Sequence, residues 1–218
     1  MDLNLNDKLL KNHDLIEKFL TLVKKTKPDY FLEVGAFEAS ASIYISTHLS
    51  NTQCIAYEAN PFNYNYFKKQ FLRYNNLEYT NLAISNYDGK VSFFIQDKRN
   101  KKKFKPVKKN NSLLKRNDDA FQYKEITVYC NKIDTLYNAN NLFCLWIDAE
   151  GKGYEVLEGA KNILANTKYI LIEVEEKKHW KDQKLDRDVI KFLNKLGFKI
   201  LLRDQEYESQ YNILFEKK

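Results

Sequence analysis

Acidic residues set beside glycines are the groups in this sequence best placed to do chemistry. Glu33-Val34-Gly35-Ala36-Phe37-Glu38-Ala39 closes a short apolar run. There Gly35 lets the chain turn sharply and a ligand approach the backbone. Glu58 ends a second apolar run, 23 residues after Gly35. An acid about 20 residues beyond such a glycine turn can accept hydrogen bonds from both hydroxyls of a ribose. The pair points to a nucleoside-containing cofactor without choosing one. A third run, Leu142 to Ile147, leads into Asp148-Ala149-Glu150-Gly151, and Glu173 lies near the end of a fourth, Tyr169 to Val174. Carboxylates at such places are costly to bury unpaired, so Asp148 and Glu150 are candidates to bind a cofactor's amino end or to act as general base. His179, in the loop beyond, is a further candidate base near neutral pH; the competing reading is an ordinary surface histidine. His13 and His48 fall on expected helices and read as structural or solvated.

The glycine pattern narrows the cofactor. A pyrophosphate needs several glycines in the form GxGxxG so that backbone N–H groups can cradle it. Here positions 37 and 39 are Phe and Ala, and Glu38 would repel a diphosphate. S-adenosyl-L-methionine has no phosphate and carries a sulfonium and an ammonium, which suit Glu33 and Glu38. Asp148 with Glu150 could also be read as a metal pair, but two acids with no third ligand are weak evidence for magnesium, and no metal is expected. Asn60-Pro61-Phe62 follows the second strand and lacks a second proline, so it is no signature of amino-group transfer.

These groups must be positioned by a sheet. Leu9, Leu10, Leu15, Ile16, Phe19, Leu20 and Val23 recur at helical spacing and predict an amphipathic helix ended by Lys27-Pro28. Strands are expected at 30–34, 53–58, 77–83, 91–95, 126–129, 142–147 and 169–174, with helices over 38–49, 60–74, 151–164 and 184–195. Tyr87-Asp88-Gly89-Lys90 reads as a tight hairpin turn. The runs 198–203 and 210–216 read as an antiparallel pair. Strand and helix alternate, and the strands are continuously apolar, so the expected fold is α/β: a mainly parallel central sheet, helices on both faces, and that C-terminal antiparallel pair. Ligands of such sheets bind at the carboxyl ends of the strands. A chain of 218 residues suits one domain, with an N-terminal helix within 1–28 and a basic inserted loop at 97–124.

That loop holds most of the charge. Ten basic and two acidic residues fall between 97 and 118, a local charge of +8, while the other 196 residues carry −1. A general nucleic-acid-binding surface is not indicated. The stretch has no sustained periodicity and repels itself, so it reads as a mobile lid suited to an anionic acceptor. The competing reading from another class is a non-catalytic RNA-binding module, but only one aromatic, Phe104, interrupts the basic stretch. Three widely spaced cysteines, Cys54, Cys130 and Cys144, read as buried free thiols. With no secretory pattern at the start and no apolar run near the ~20 residues of a membrane helix, a cytoplasmic setting is expected.

Three segments resemble the FkbM family of methyltransferases. The first is Glu33 to Ala39. The second is Ala56-Tyr57-Glu58-Ala59-Asn60-Pro61, followed by Leu82-Ala83-Ile84-Ser85 and Asp88-Gly89. The third is Ile133-Asp134-Thr135-Leu136, then Trp146-Ile147-Asp148-Ala149-Glu150-Gly151, then Glu155-Val156-Leu157-Glu158-Gly159-Ala160. The resemblance spans roughly residues 30 to 175. It implies a Rossmann-like class I methyltransferase fold, S-adenosyl-L-methionine as cofactor, and O-methylation of a small-molecule or glycan acceptor. Asn110-Asn111-Ser112-Leu113 resembles a family stretch at this point, which implies that part of the basic loop closes over the site. On motif and resemblance together, Glu33, Gly35, Ala36, Glu38, Glu58, Ala59, Ala83 and Asp148 hold the cofactor; Asp148, Glu150, Glu173 and His179 are the candidate catalytic residues. Ala39 stands where many members have glycine, and Lys152-Gly153-Tyr154 replaces the usual small residue and acid.

Overall fold

The computed structural model describes residues 11–100, 102–205 and 209–218. Strands β1 (Tyr30–Val34), β2 (Gln53–Tyr57) and β3 (Leu77–Thr80) alternate with helices α1 (Asn12–Thr26), α2 (Ser40–His48) and α3 (Pro61–Phe67). Four more strands follow: β4 (Ala83–Ile84), β5 (Gly89–Arg99), β6 (Lys102–Lys103) and β7 (Phe121–Asn131). The chain then runs through α4 (Ile133–Leu136), β8 (Phe143–Ile147), α5 (Gly153–Glu158), β9 (Thr167–Glu175), α6 (Asp186–Lys195), β10 (Phe198–Arg203) and β11 (Gln210–Lys217). The main sheet has seven strands in the order β10-β11-β9-β8-β1-β2-β3. It is parallel from β9 to β3, and β11 runs antiparallel to both β9 and β10. The expected fold class is therefore the observed one.

Continuous apolar runs are explained by two covered faces. Along each central strand, alternate side chains enter different cores. Phe31, Cys144, Leu171 and Leu214 pack with α1 and α2, through Leu15, Phe19, Val23 and Ile45. Their neighbours Leu32, Leu145, Ile172 and Ile213 pack on the other side with α5 and α6, through Val156, Leu157, Val189 and Leu193. In α1 the buried residues Leu15, Phe19 and Val23 recur every four positions, and the helix stops at Lys27, in the left-handed region before Pro28. Leu9 and Leu10, counted in the same stripe from sequence, lie outside the described residues.

Several local expectations change. The stretch 77–83 is not one strand: β3 belongs to the main sheet, and β4 opens a second sheet of order β4-β7-β5-β6. Residues 87–90 therefore make no tight hairpin, because β7 lies between β4 and β5. Asp88 instead accepts hydrogen bonds from the backbone N–H of Lys132 and the hydroxyl of Thr135. The helix expected to Tyr74 leaves α geometry after Phe67 and continues as a 3-10 turn to Arg73. The helix expected to Leu164 ends at Glu158, and Gly159, its C-cap, lies against the Ser85 carbonyl where a Cβ would collide.

The basic segment also differs from the loop expected over 97–124. Its two ends are strands, and residues 104–118 form a strap tied along its length. Ser112 bridges in β fashion to Phe94. Asn63 donates to the Lys108 carbonyl and accepts from the Lys108 N–H at 3.1 and 3.0 Å. Arg116 bridges in the same way to Trp180. Asparagine and serine side chains satisfy the backbone here and leave no periodic trace in the sequence.

Gly35 is the tightest joint between these layers. It adopts φ +80°, and a Cβ would run into the Asp148 backbone carbonyl. It therefore also lets the ends of β1 and β8 meet, a second need for glycine beside the expected approach of a ligand. Gly35→Ala should cost about 2–5 kcal/mol, combining left-handed strain with overpacking. Urea unfolding checks this; a loss below ~1 kcal/mol would contradict the close contact.

Candidate active site

The carboxyl ends of β1, β2 and β8 open into one cleft, closed on another side by strap residues 108–113. All eight residues expected to hold a cofactor line it: Glu33, Gly35, Ala36, Glu38, Glu58, Ala59, Ala83 and Asp148. The loop after β1 is cupped by alternating left-handed residues, with Gly35 at φ +80°, Phe37 at +47° and Ala39 at +51°. Ala39 thus adopts a conformation that glycine would take without strain. The N–H groups of Gly35 and Ala36 donate to the Tyr57 carbonyl at 3.0 and 2.9 Å. This pins the loop to β2.

Glu58 locks the same joint from the other strand. One carboxylate oxygen accepts from the Phe37 N–H at 2.9 Å and the other from the Asn60 N–H at 2.7 Å. Burial pushes its pKa up to about 7, against the pull of these hydrogen bonds. Glu33 plays a capping part that sequence alone did not reveal. Ala39 has no side chain to cap α2. Glu33 does it from the sheet, accepting from the Ser42 N–H at 2.7 Å and its hydroxyl at 2.6 Å. An acid at a helix N-terminus also suits the helix dipole. Burial raises Glu33 to about 7 as well.

The reaction-centre candidates divide. Asp148, Glu150 and Glu173 come together: one carboxylate oxygen from each lies within 4.8 Å of the others. Glu173 supplies the third acid that the sequence could not place, and the trio could hold a hard divalent cation. Asp148 and Glu150 line the cleft, whereas Glu173 is not part of its lining. His179 is not brought to the cleft. Its Nε2 lies 2.7 Å from the Ser209 hydroxyl, and burial lowers its pKa.

Two residues complete the corner without having been anticipated. Glu175 is 3% exposed and has a carboxylate oxygen with no hydrogen-bond partner. It is on the same strand as Glu173, two residues on, so strand alternation could have found it. Arg116, from the strap, approaches Glu150 to 3.7 Å and lies over the Trp180 ring, 4.0 Å from its centroid. Trp180 in turn lies against Gly151, where a Cβ would strike the indole. No local signal marked Arg116, because its role depends on a fold-back of more than thirty positions.

Electrostatics in this corner are governed by burial and mutual repulsion. Burial first, then Asp148, raises Glu150 to about 8, with Arg116 opposing the shift. Burial, Asp148 and Glu150 raise Glu173 well above the ordinary carboxylate range. Glu175 rises to about 7, mainly by burial. The strap bears directly on this corner, since the Ser112 hydroxyl donates to the Glu150 carbonyl at 2.6 Å. A carboxylate whose pKa is near neutral, beside a cleft lined with acids, can take a proton from a weakly acidic group and can face a cationic ligand.

The fold is shared with solved structures at low identity. A precorrin-6y C5,15-methyltransferase from Geobacter metallireducens superposes with a TM-score of 0.51 and 13% identity, covering 97% of this chain and 92% of its own. An uncharacterized protein from Listeria monocytogenes serotype 4b gives 0.51 at 8% identity, covering 96% of this chain and 68% of its own. A search among curated proteins finds no match. The family model described as the methyltransferase FkbM domain matches residues 29–200, which contain every cleft-forming strand end. The chain therefore belongs to the FkbM methyltransferase family and is an S-adenosylmethionine-dependent methyltransferase.

Proposed function

We propose that the protein methylates a hydroxyl of a small-molecule or glycan acceptor, with Glu150 and Asp148 at the reaction centre. The observation that carries this reading is the position and pKa of Glu150: on the cleft wall, with its proton held to about 8. A base matched to neutral pH is the type a hydroxyl acceptor requires. Three buried, unpaired thiols, Cys54, Cys130 and Cys144, support a reducing cytoplasm as its setting. Among the described residues no helix is long and apolar enough to cross a membrane.

The cleft suits the cofactor in charge and in hydrogen bonding. Each Glu58 oxygen accepts one backbone N–H and Asn63 adds a side-chain hydrogen bond, which leaves the carboxylate acceptor capacity for a ribose hydroxyl. Glu33, Glu38 and Asp148 present acidic groups to the cationic end. When bound, S-adenosylmethionine supplies a methyl group already activated by its sulfonium. The protein's work is then to orient the acceptor oxygen behind that methyl, exclude water, and receive the hydroxyl proton. The carboxylate of Glu150 accepts the proton, and Arg116 stabilises its charged form beforehand. With the methyl on its oxygen the acceptor would leave as a methyl ether, its hydroxyl proton resting on Glu150. After burial, repulsion from Asp148 and then from Glu175 holds Glu150's pKa high, so Glu175 acts as a positioning residue.

Glu150→Gln and Asp148→Asn keep shape and lose charge. Methyl transfer should fall about a hundredfold or more, while melting temperature at neutral pH stays level or rises, because Glu150 already keeps its proton there and each change takes an acid out of a crowded acidic corner. Normal turnover with a large drop in melting temperature would make these acids structural.

Stability of the protein without cofactor should fall as pH rises. Glu33, Glu58, Glu150 and Glu175 have pKa values raised to between about 7 and 8. The folded state therefore binds more protons than the unfolded state above pH ~4.5. That stabilisation is complete below the unfolded pKa and is lost through the folded values. His179, whose pKa is lowered, acts in the opposite sense near its ordinary value, one group against four. Melting temperature should decline by several degrees between pH 5.5 and 8.5; a profile that rises over this range would contradict the raised pKa values.

A further inference from the structure

A second cavity, of about 550 Å³, lies between the strap and the outer ends of β5, β6 and β7. Its size is typical of a small-ligand pocket. Four cations line it, Arg99, Lys102, Lys108 and Arg116, and no acid does. The remaining walls are amides (Gln96, Asn100 and Asn110) and the rings of Phe104 and Phe121, whose centroids lie 6.4 Å apart. Lys108 and Asn110 also line the cleft, so the two spaces share a wall.

The cations here are only partly neutralised. Arg99 pairs with Asp118 at 3.1 Å and Arg116 faces Glu150 at 3.7 Å. Among the described residues, no ion pair involves Lys102 or Lys108. Lys108 instead donates to Gln96 Oε1 at 2.6 Å and sits 3.5 Å from the centre of the Phe104 ring. Arg116 has a buried Nε without a hydrogen-bond partner. Burial and repulsion from Arg116 and Lys102 hold the Lys108 ammonium below its ordinary pKa. A multiply charged anion would relieve this repulsion and fill the open donor positions. A single carboxylate has too little charge and too few acceptor oxygens to engage four such groups.

We propose that this cavity binds a phosphate group of the acceptor, whose hydroxyl then reaches across the shared wall toward Glu150. The inference rests on the methyl-transfer reading of the cleft and adds the class of its substrate, a phosphorylated hydroxyl compound. Arg116 then has two contacts, Glu150 on one side and the phosphate on the other. The two rings offer apolar faces to the body of the acceptor.

The test is calorimetric titration of the full chain with inorganic phosphate and pyrophosphate at low ionic strength, alongside S-adenosylhomocysteine. Pyrophosphate should bind to the wild type, and Lys102→Gln with Lys108→Gln should weaken it at least about tenfold, as lost charged hydrogen bonds require. The exposed pair Lys177→Gln with Lys178→Gln should leave it unchanged. If the first double variant does not fold, Lys102→Gln alone, at an exposed strand position, should weaken binding severalfold. Equal losses in both sets of variants, or no binding at all, would overturn the proposal. An affinity for oligouridylate that keeps rising with length would overturn it in favour of a nucleic-acid backbone. If S-adenosylhomocysteine binds and phosphate does not, the proposal fails and the methyl-transfer reading stands. If phosphate binds as expected and S-adenosylhomocysteine does not, the anion site stands and that reading of the cleft fails.

Discussion

Carboxylates gathered from the ends of β8 and β9 repel one another in a largely buried corner beside the cleft, and the guanidinium of Arg116 faces them from the strap. Asp148, Glu150, Glu173 and Glu175 cannot all be ionised there without large cost. The corner therefore keeps protons near neutral pH, with Glu150 held to about 8. A proton held this loosely can be exchanged with a substrate. A lone surface carboxylate would be fully ionised and much the weaker base.

Much of the remaining structure serves that corner. The parallel strands bring their acids to one edge because every strand of the set ends on the same side. The second sheet carries the strap, and the strap delivers Arg116 and Ser112 to Glu150. Trp180, 1% exposed, fixes the guanidinium from behind, and Gly151 makes room for the indole. The cofactor side is braced separately. Glu58 and the Tyr57 carbonyl hold the loop after β1, while Glu33 caps α2 in place of the side chain that Ala39 lacks.

The sequence made the parallel sheet legible because apolar strands with two covered faces leave continuous runs. Gly35, Glu58, Asp148 and Glu150 could be found because their spacing after those runs follows from the fold. Three things were hidden. Arg116 lies in a Lys-rich stretch whose charges look alike until one is brought to an acid. The strap's order comes from Asn and Ser bonding to backbone, which has no period. The neighbours of β4 and β5 could not be read either, because β7, which begins more than twenty residues after β5 ends, comes between them. Glu33 was read as a cofactor residue, and it does line the cleft, but its hydrogen bonds to Ser42 also tie it to the helix.

The most direct measurement is the titration of Glu150 itself, by carbon NMR of a protein labelled at the glutamate carboxyl carbons and assigned with Glu150→Gln. The shared, buried corner predicts an inflection near pH 8 in the wild type, moving higher in Arg116→Gln as the opposing cation is lost. An inflection in the ordinary carboxylate range, near 4.5, and unmoved by Arg116→Gln, would contradict it.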